Sequence, residues 1–193
     1  MKKALSLTTL IVAVLLALAG CGSNDTNGSS GSSVSHNQQD VTFATDMVPH
    51  HLQAVQMAEM AQTRASSTAV KTLADQIKAA QGPEIDTMSG WLKSWGEDVP
   101  DESMGGMDGM GSGSSDSMPG MMSDQVMSDL GAATGDTFDK MWLESMIAHH
   151  EGAVQMADTE IADGKDPDAV ALAKSIKVAQ TTEIATMKKL LAP

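Results

Sequence analysis

MVPHHLQAVQMA, Met47 to Ala58, returns as MIAHHEGAVQMA, Met146 to Ala157, and the reading of that pair decides the fold. A shift of 99 residues aligns the two copies without a gap, and the match runs on: LAxxIKxAQ from Leu73 recurs from Leu172, and EIxTM from Glu84 recurs from Glu183. About 19 of the 50 positions from Phe43 to Leu92 are identical to those from Trp142 to Leu191, far above what composition alone produces, so the chain carries an internal duplication. Apolar residues recur three and four apart in each half, the period of a helix. The unit is a helical hairpin, and two of them make an all-α four-helix bundle.

The first helix is expected from about Asp40 to Thr63, with Pro49 inside it and bending it just before the histidines. Ser66, Ser67 and Thr68 are caps for a second helix that reaches about Trp95. Gly82 and Pro83 interrupt that helix, whereas the aligned Thr181 and Thr182 do not interrupt its copy, which predicts a kink and not a break. A short helix with a serine cap follows Ser123, a third long helix runs from near Thr137 to Asp163, and GKDPDA forms the turn. The fourth begins at Pro167, a residue suited to a first helical turn, and ends at Leu191. Residues 40–97 are thus the first hairpin, 98–122 a loop rich in Met, Gly and Ser, and 123–193 the short helix with the second hairpin.

The start of the chain has another character. Met1 to Gly20 combines Lys2 and Lys3 with the apolar run Leu10 to Ala19 and ends in LAGC, the shape of a bacterial lipoprotein signal cleaved before Cys21 and lipidated on its sulfur. Residues 21–39 are small and polar, a flexible tether between lipid and domain. Cys21 is the sole cysteine, which excludes a disulfide framework and a thiolate metal site. The localisation this implies is export and lipid anchoring to the cell membrane, on the periplasmic or outer face.

Composition narrows the chemistry. The formal charge is −13, and −15 without the first 20 residues, so the surface favours cations and excludes nucleic acid as a partner. There are 16 Met against 2 Phe, 3 Trp and no Tyr. Methionine fills cores adaptably, but its thioether is also a soft ligand suited to monovalent copper. Met104, Met107, Met110, Met118, Met121 and Met122 stand in a Gly and Ser setting where packing does not account for them; a mobile thioether array suits capture or handover of soft ions.

At about 100° per residue, Met47, His51, Ala54, Val55 and Ala58 share one helix face, as do Met146, His150, Ala153, Val154 and Ala157. The second histidine of each pair therefore points to the core, while His50 with Met57, and His149 with Met156, lie on the flank. On the partner helices Glu84 and Met88, and their copies Glu183 and Met187, sit within apolar stripes, where a carboxylate is costly unless paired or bound to a cation. With both stripes inward, the interior gains Met47, His51, Glu84 and Met88 together with Met146, His150, Glu183 and Met187. Imidazole takes copper in either common oxidation state as well as zinc, and thioethers favour monovalent copper or silver, so the pair points to copper first. The competing reading is a core histidine hydrogen-bonded to a core glutamate, with no metal.

These residues carry a resemblance. The chain is similar to the exported family known as domain of unknown function 305, whose repeat reads M-[IV]-x-H-H-x-x-A-[IV]-x-M-A with a downstream E-I-x-x-M, and both copies match it over about Phe43 to Leu191. Members resemble ferritin-like bundles, and a CopM-like branch is associated with periplasmic copper binding and copper resistance. The resemblance implies ligands among Met47, His50, His51, Met57, Met146, His149, His150 and Met156, with Glu84, Met88, Glu183 and Met187 as further ligands or as groups bonded to them. The ion it implies is copper, Cu+ in preference to Cu2+, with Ag+ as a second soft ion.

Three functions follow. The first is a lipid-anchored, non-catalytic protein that sequesters copper or passes it on, with metal ions, the membrane, and a delivery partner or a second copy of itself as partners. The second is a ferritin-like oxidase; that chemistry needs a Glu-x-x-His pair on each of two helices, and none occurs. No phosphate loop or Ser nucleophile motif is present either, so the expectation is that the protein is not an enzyme. The third is a structural or partner-binding lipoprotein with a metal-free His/Glu core.

Overall fold

Asn37 starts the first helix. Its side chain accepts from the backbone N–H groups of Gln39 and Asp40, and the Asp40 carboxylate accepts in return from the Asn37 N–H. This reciprocal cap satisfies donors that a helix end leaves unpaired. The computed structural model describes residues 36–100 and 118–192; the signal segment, Cys21, most of the tether, and Met104, Met107 and Met110 lie outside them. Among the described residues there are five helices and no strand. They are α1 (Gln38–Arg64), α2 (Thr68–Trp95), α3 (Asp124–Ala132), α4 (Gly135–Asp163) and α5 (Pro167–Leu191). None is long and apolar enough to cross a membrane.

The helices match the expected hairpins with small differences at their ends. α1 begins at Gln38 and not at Asp40 because Asn37 is its cap, and the cap side chain also donates to the Asp163 carbonyl at 2.8 Å. His36 stacks on Trp95 with ring centroids 4.7 Å apart, so the end of the expected tether lies against the bundle. α1 runs through Pro49 and α2 through Gly82 and Pro83 without a break. Ser67 caps α2, Ser123 caps α3, and Pro167 opens α5 beside its cap, Asp166.

α1 packs on α2 and α4 on α5, forming the hairpins, and the hairpins join where α1 meets α4. Ala54, Ala58 and Ala61 on α1 and Ala153 and Ala157 on α4 are all buried. α1 and α4 run antiparallel: His50 faces His149, while Trp142, seven residues before His149, donates from its indole N–H to the carbonyl of Met57, seven residues after His50, at 2.9 Å. A pseudo-twofold axis therefore passes near the two facing histidines.

The same pseudosymmetry ties the ends of the hairpins. The Asp40 carboxylate accepts from the backbone N–H groups of Lys165 and Asp166, in the turn of the second hairpin, both at 2.9 Å. Asp139, 99 residues further on, accepts from the N–H groups of Ser66 and Ser67, in the turn of the first, at 3.1 and 2.8 Å. The duplication thus begins upstream of Phe43, at Asp40, and each hairpin holds the other's turn. Burial pushes the Asp40 carboxyl up, but the N–H groups of Asn37, Asp166 and Lys165 and the neighbouring Glu160 carboxyl outweigh it, and its pKa falls below the usual value. Glu160, fully buried beside it, is pushed up to about 8 by burial first and then by Asp40.

Candidate metal centre

All four paired histidines are fully buried. The inward direction of His51 and His150 agrees with the helical periodicity. His50, Met57 and His149 were expected on the flank of their hairpins, yet they are buried too, because that flank is the surface on which α1 meets α4. The His50 and His149 rings lie with centroids 3.7 Å apart and planes tilted by 36°.

Each glutamate reaches the inward histidine of its own hairpin. His51 Nε2 lies 2.8 Å from Glu84 Oε2, and His150 Nε2 lies 2.8 Å from Glu183 Oε2. The distance is the same in both copies, so the Gly82–Pro83 pair leaves Glu84 in register with Glu183. Each of these glutamate side chains keeps 18% of its surface exposed, at the rim of the core. A carboxylate only accepts, so Nε2 carries the hydrogen, and in a neutral ring the lone pair falls on Nδ1. His50 is oriented differently: its Nε2 donates to the Pro119 carbonyl oxygen at 3.1 Å.

The opposite nitrogens are left over. Nδ1 of His50, His51 and His150, and both ring nitrogens of His149, are buried without a hydrogen-bond partner among the described residues. Buried polar atoms are nearly always paired, so five such nitrogens on four neighbouring residues call for a cause. Burial lowers the His50 pKa to about 3, helped by the neighbouring His51 and opposed by the Pro119 carbonyl. Burial and the other three histidines hold His149 well below its usual value. These two rings are therefore neutral at pH 7, with lone pairs able to coordinate a cation.

The methionines divide between the two ends of the bundle. Met57, Met146 and Met187 belong to one apolar cluster, with Trp142 and Phe138. Met47 and Met88 belong to the other, with Phe43 and Ile176, and the partly buried Met156 packs against it. Seven residues along a helix is about 10 Å, and in antiparallel helices Met57 and Met156 leave the histidines in opposite directions. The interior set expected from the two stripes is therefore two pseudo-equivalent half-sets meeting at the histidines. Among the described residues, no three His, Cys, Asp or Glu side chains converge into a metal-holding group, so a metal held here needs thioethers in its ligand set.

Residues that the repeat did not single out complete the surroundings. The described end of the methionine loop, residues 118–122, does pack: Met122 exchanges two hydrogen bonds with the Gln53 side chain, at 2.8 and 2.9 Å. Gly152 is the residue that admits it, since a Cβ there would stand 2.0 Å from the Pro119 carbonyl oxygen. A glycine inside a helix that is aligned with Gln53 in the other repeat was the available signal.

What the residues define is a duplicated-hairpin helical bundle around four buried histidines, two of them paired with glutamates. The chain belongs to the family Domain of unknown function (DUF305), whose pattern matches residues 40–191. It is 31% identical to a DUF305 protein from Streptomyces coelicolor described as secreted, covering 79% of this chain and 91% of that one with a TM-score of 0.69. A DUF305 fragment from Deinococcus radiodurans is 29% identical over 81% and 97% of the two chains, with the same TM-score of 0.69. CopM in its Cu(I)-bound form is 30% identical over 78% and 94%, with a TM-score of 0.62, and CopM has also been solved with Cu(II) and with Ag. Comparison with curated protein sequences gave no match.

Proposed function

We propose that this chain is a cell-envelope lipoprotein that binds copper, with silver as the alternative soft ion, and sequesters it or hands it on. The observation that carries the proposal is the set of five unpartnered, buried imidazole nitrogens. Their chemistry fits the ion: neutral imidazole binds copper in both common oxidation states, and the thioethers beside it favour Cu+. The candidate ligand nitrogens are Nδ1 of His50, His51 and His150 together with His149, no more than two of these rings to one ion, and the sulfurs come from Met47 and Met156 in one half and Met57 and Met146 in the other. Met88 and Met187 are reserve sulfurs in the same clusters.

Glu84 and Glu183 serve as orienting groups. Each fixes the tautomer and plane of a ligand histidine by accepting from Nε2, the usual arrangement around a metal-binding imidazole. The acidic surface raises the local concentration of cations, and a lipid on Cys21 holds the domain at the membrane. Relatives of similar sequence that hold Cu(I), Cu(II) and Ag support this reading.

The second reading is a metal-free polar core, favoured by the two His–Glu pairs. It satisfies one nitrogen of His51 and of His150 and leaves their Nδ1 atoms and both His149 nitrogens unexplained. Competition for Cu(I) between the metal-free protein and a chromophoric chelator separates the two. Binding lost on replacing His50, His51, His149 and His150 together by Ala, with stabilisation of about 3 kcal/mol when free ion is a hundredfold above Kd, supports the first. No competition, and equal stability with and without copper, supports the second.

A further inference from the structure

Residues 118–122 form a five-residue stretch laid across α1 and α4 at the level of the facing histidines. Three contacts seat it. The Pro119 carbonyl accepts from His50 Nε2, Gln53 on α1 clasps the backbone of Met122 by donating from its side-chain amide nitrogen and accepting at its side-chain oxygen, and Gly152 on α4 leaves the space that Pro119 and Gly120 fill. Gly120 is itself required: its φ is +78°, and a Cβ would stand 2.7 to 2.9 Å from the carbonyl oxygens of Ala148 and His149 and from the Gly152 Cα. Two of the three contacts use one aligned position at which the two repeats disagree. Gln53 and Gly152 are aligned partners, one supplying a side chain and the other removing one.

We infer that Met118–Met122 is a latch over the histidine pair that controls exchange of the bound ion and selects the ligand nitrogen of His50. The inference rests on the copper reading above and adds to it a residue set outside the family repeat. Docked, the segment takes the hydrogen on His50 Nε2 and so directs Nδ1 inward. Met118, Met121 and Met122 are half-buried on this cover, and Met122 packs against the cluster that holds Met57, Met146 and Met187. When the latch lifts, the covered face opens and its thioethers go with it, so a soft ion can move between histidine nitrogens and methionine sulfur without passing through water. Among the described residues neither ring nitrogen of His149 has a hydrogen bond corresponding to that of His50 with Pro119, so the two halves of the duplicated centre exchange unequally.

The test uses the full chain with Gln53→Ala, which removes both bonds to Met122, and Gly152→Ala, which places a methyl group where the Pro119 carbonyl sits. Alanine is a good helix former, so α4 tolerates the second change, and Gln53→Ala stands alone should Gly152→Ala fail to fold. In the metal-free protein, the His50 ring nitrogens are read by long-range nitrogen–proton NMR. A single Nε2–H form in the parent and a mixed ring in the variants is the expected result; an unchanged ring in both variants overturns the latch. With Cu(I) loaded, transfer to a chromophoric chelator should be at least tenfold faster in both variants while equilibrium binding persists. Equal transfer rates, in variants whose 118–122 segment has become cleavable by protease, overturn control of exchange. Absence of Cu(I) binding in the parent refutes the copper reading instead, and the NMR result then still decides the selection at His50.

Discussion

Stability of the metal-free chain should peak near pH 6.5, and the groups responsible can be named. His50 titrates at about 3 in the folded chain against 6.5 in the unfolded one, and His149 also lies well below 6.5 when folded. Between those values the unfolded chain binds protons that the folded chain refuses, so lowering the pH from 6.5 removes about 1.4 kcal/mol per pH unit through His50, and His149 acts in the same direction. Glu160 acts in the opposite sense. Its pKa of about 8 when folded, against 4.5 unfolded, means that the folded chain holds an extra proton in that window. Its contribution is complete below pH 4.5 and is lost as the pH rises through 8. From pH 6.5 down to 4.5, His50 and Glu160 offset each other at about 1.4 kcal/mol per unit, and the net loss is the part that His149 adds. From 6.5 up to 8 only Glu160 acts, and about 2 kcal/mol is lost. Urea unfolding from pH 4.5 to 8.5, with a chelator present, measures the profile. Glu160→Gln should abolish the alkaline limb and steepen the acid limb by about 1.4 kcal/mol per unit. A parent profile flat above pH 6.5, or an E160Q profile that still falls there, refutes the assignment to Glu160; a missing acid limb refutes neutral burial of the rings.

Three further outcomes follow from the described contacts. Asp139→Ala leaves the N–H groups of Ser66 and Ser67 without their acceptor and should cost about 2–4 kcal/mol in urea unfolding, with Asp40→Ala costing at least as much because it bonds three N–H groups at a more buried site. Glu84→Gln and Glu183→Gln should each weaken Cu(I) binding about 10- to 100-fold in chelator competition, and by similar factors, since the two His–Glu distances are equal. Met57→Leu and Met156→Leu nearly conserve volume and should cost less than about 1.5 kcal/mol each; a fall in Cu(I) affinity in the same variants identifies the sulfurs as ligands, and unchanged affinity assigns them to packing.

The hairpins and their helix ends were legible because hydrophobic period, caps and turn residues are local signals, and the 99-residue repeat multiplied each of them. Pro167 beside Asp166 and Ser67 before Thr68 needed no tertiary information. The burial of His50 and Met57 was harder to read. A helix face counts as flank or core only once the second neighbour is known, and α1 has two neighbours, α2 and α4. The antiparallel crossing of α1 and α4 is likewise invisible in a list of faces, yet it sends Met57 and Met156 to opposite ends. Two features had signals that were readable but small: Asp40 repeats at Asp139, and Gly152 breaks the helix pattern opposite Gln53. The Pro119 carbonyl had none, because any residue supplies that oxygen and only the fold brings it to His50.

The exchange of turns between the hairpins bears on how such a protein is assembled. A single hairpin would carry an aspartate with no turn to bind and a turn with no aspartate to bind it, and two identical hairpins related by a twofold axis would satisfy both at once. The bundle is in that sense a homodimer written into one polypeptide, joined through residues 96–134. A true homodimer must keep its two halves equal, whereas a fused one is free to let them diverge. That freedom is used at Gln53 and Gly152, where one linker, arriving from one side only, could be received by two halves that are no longer alike.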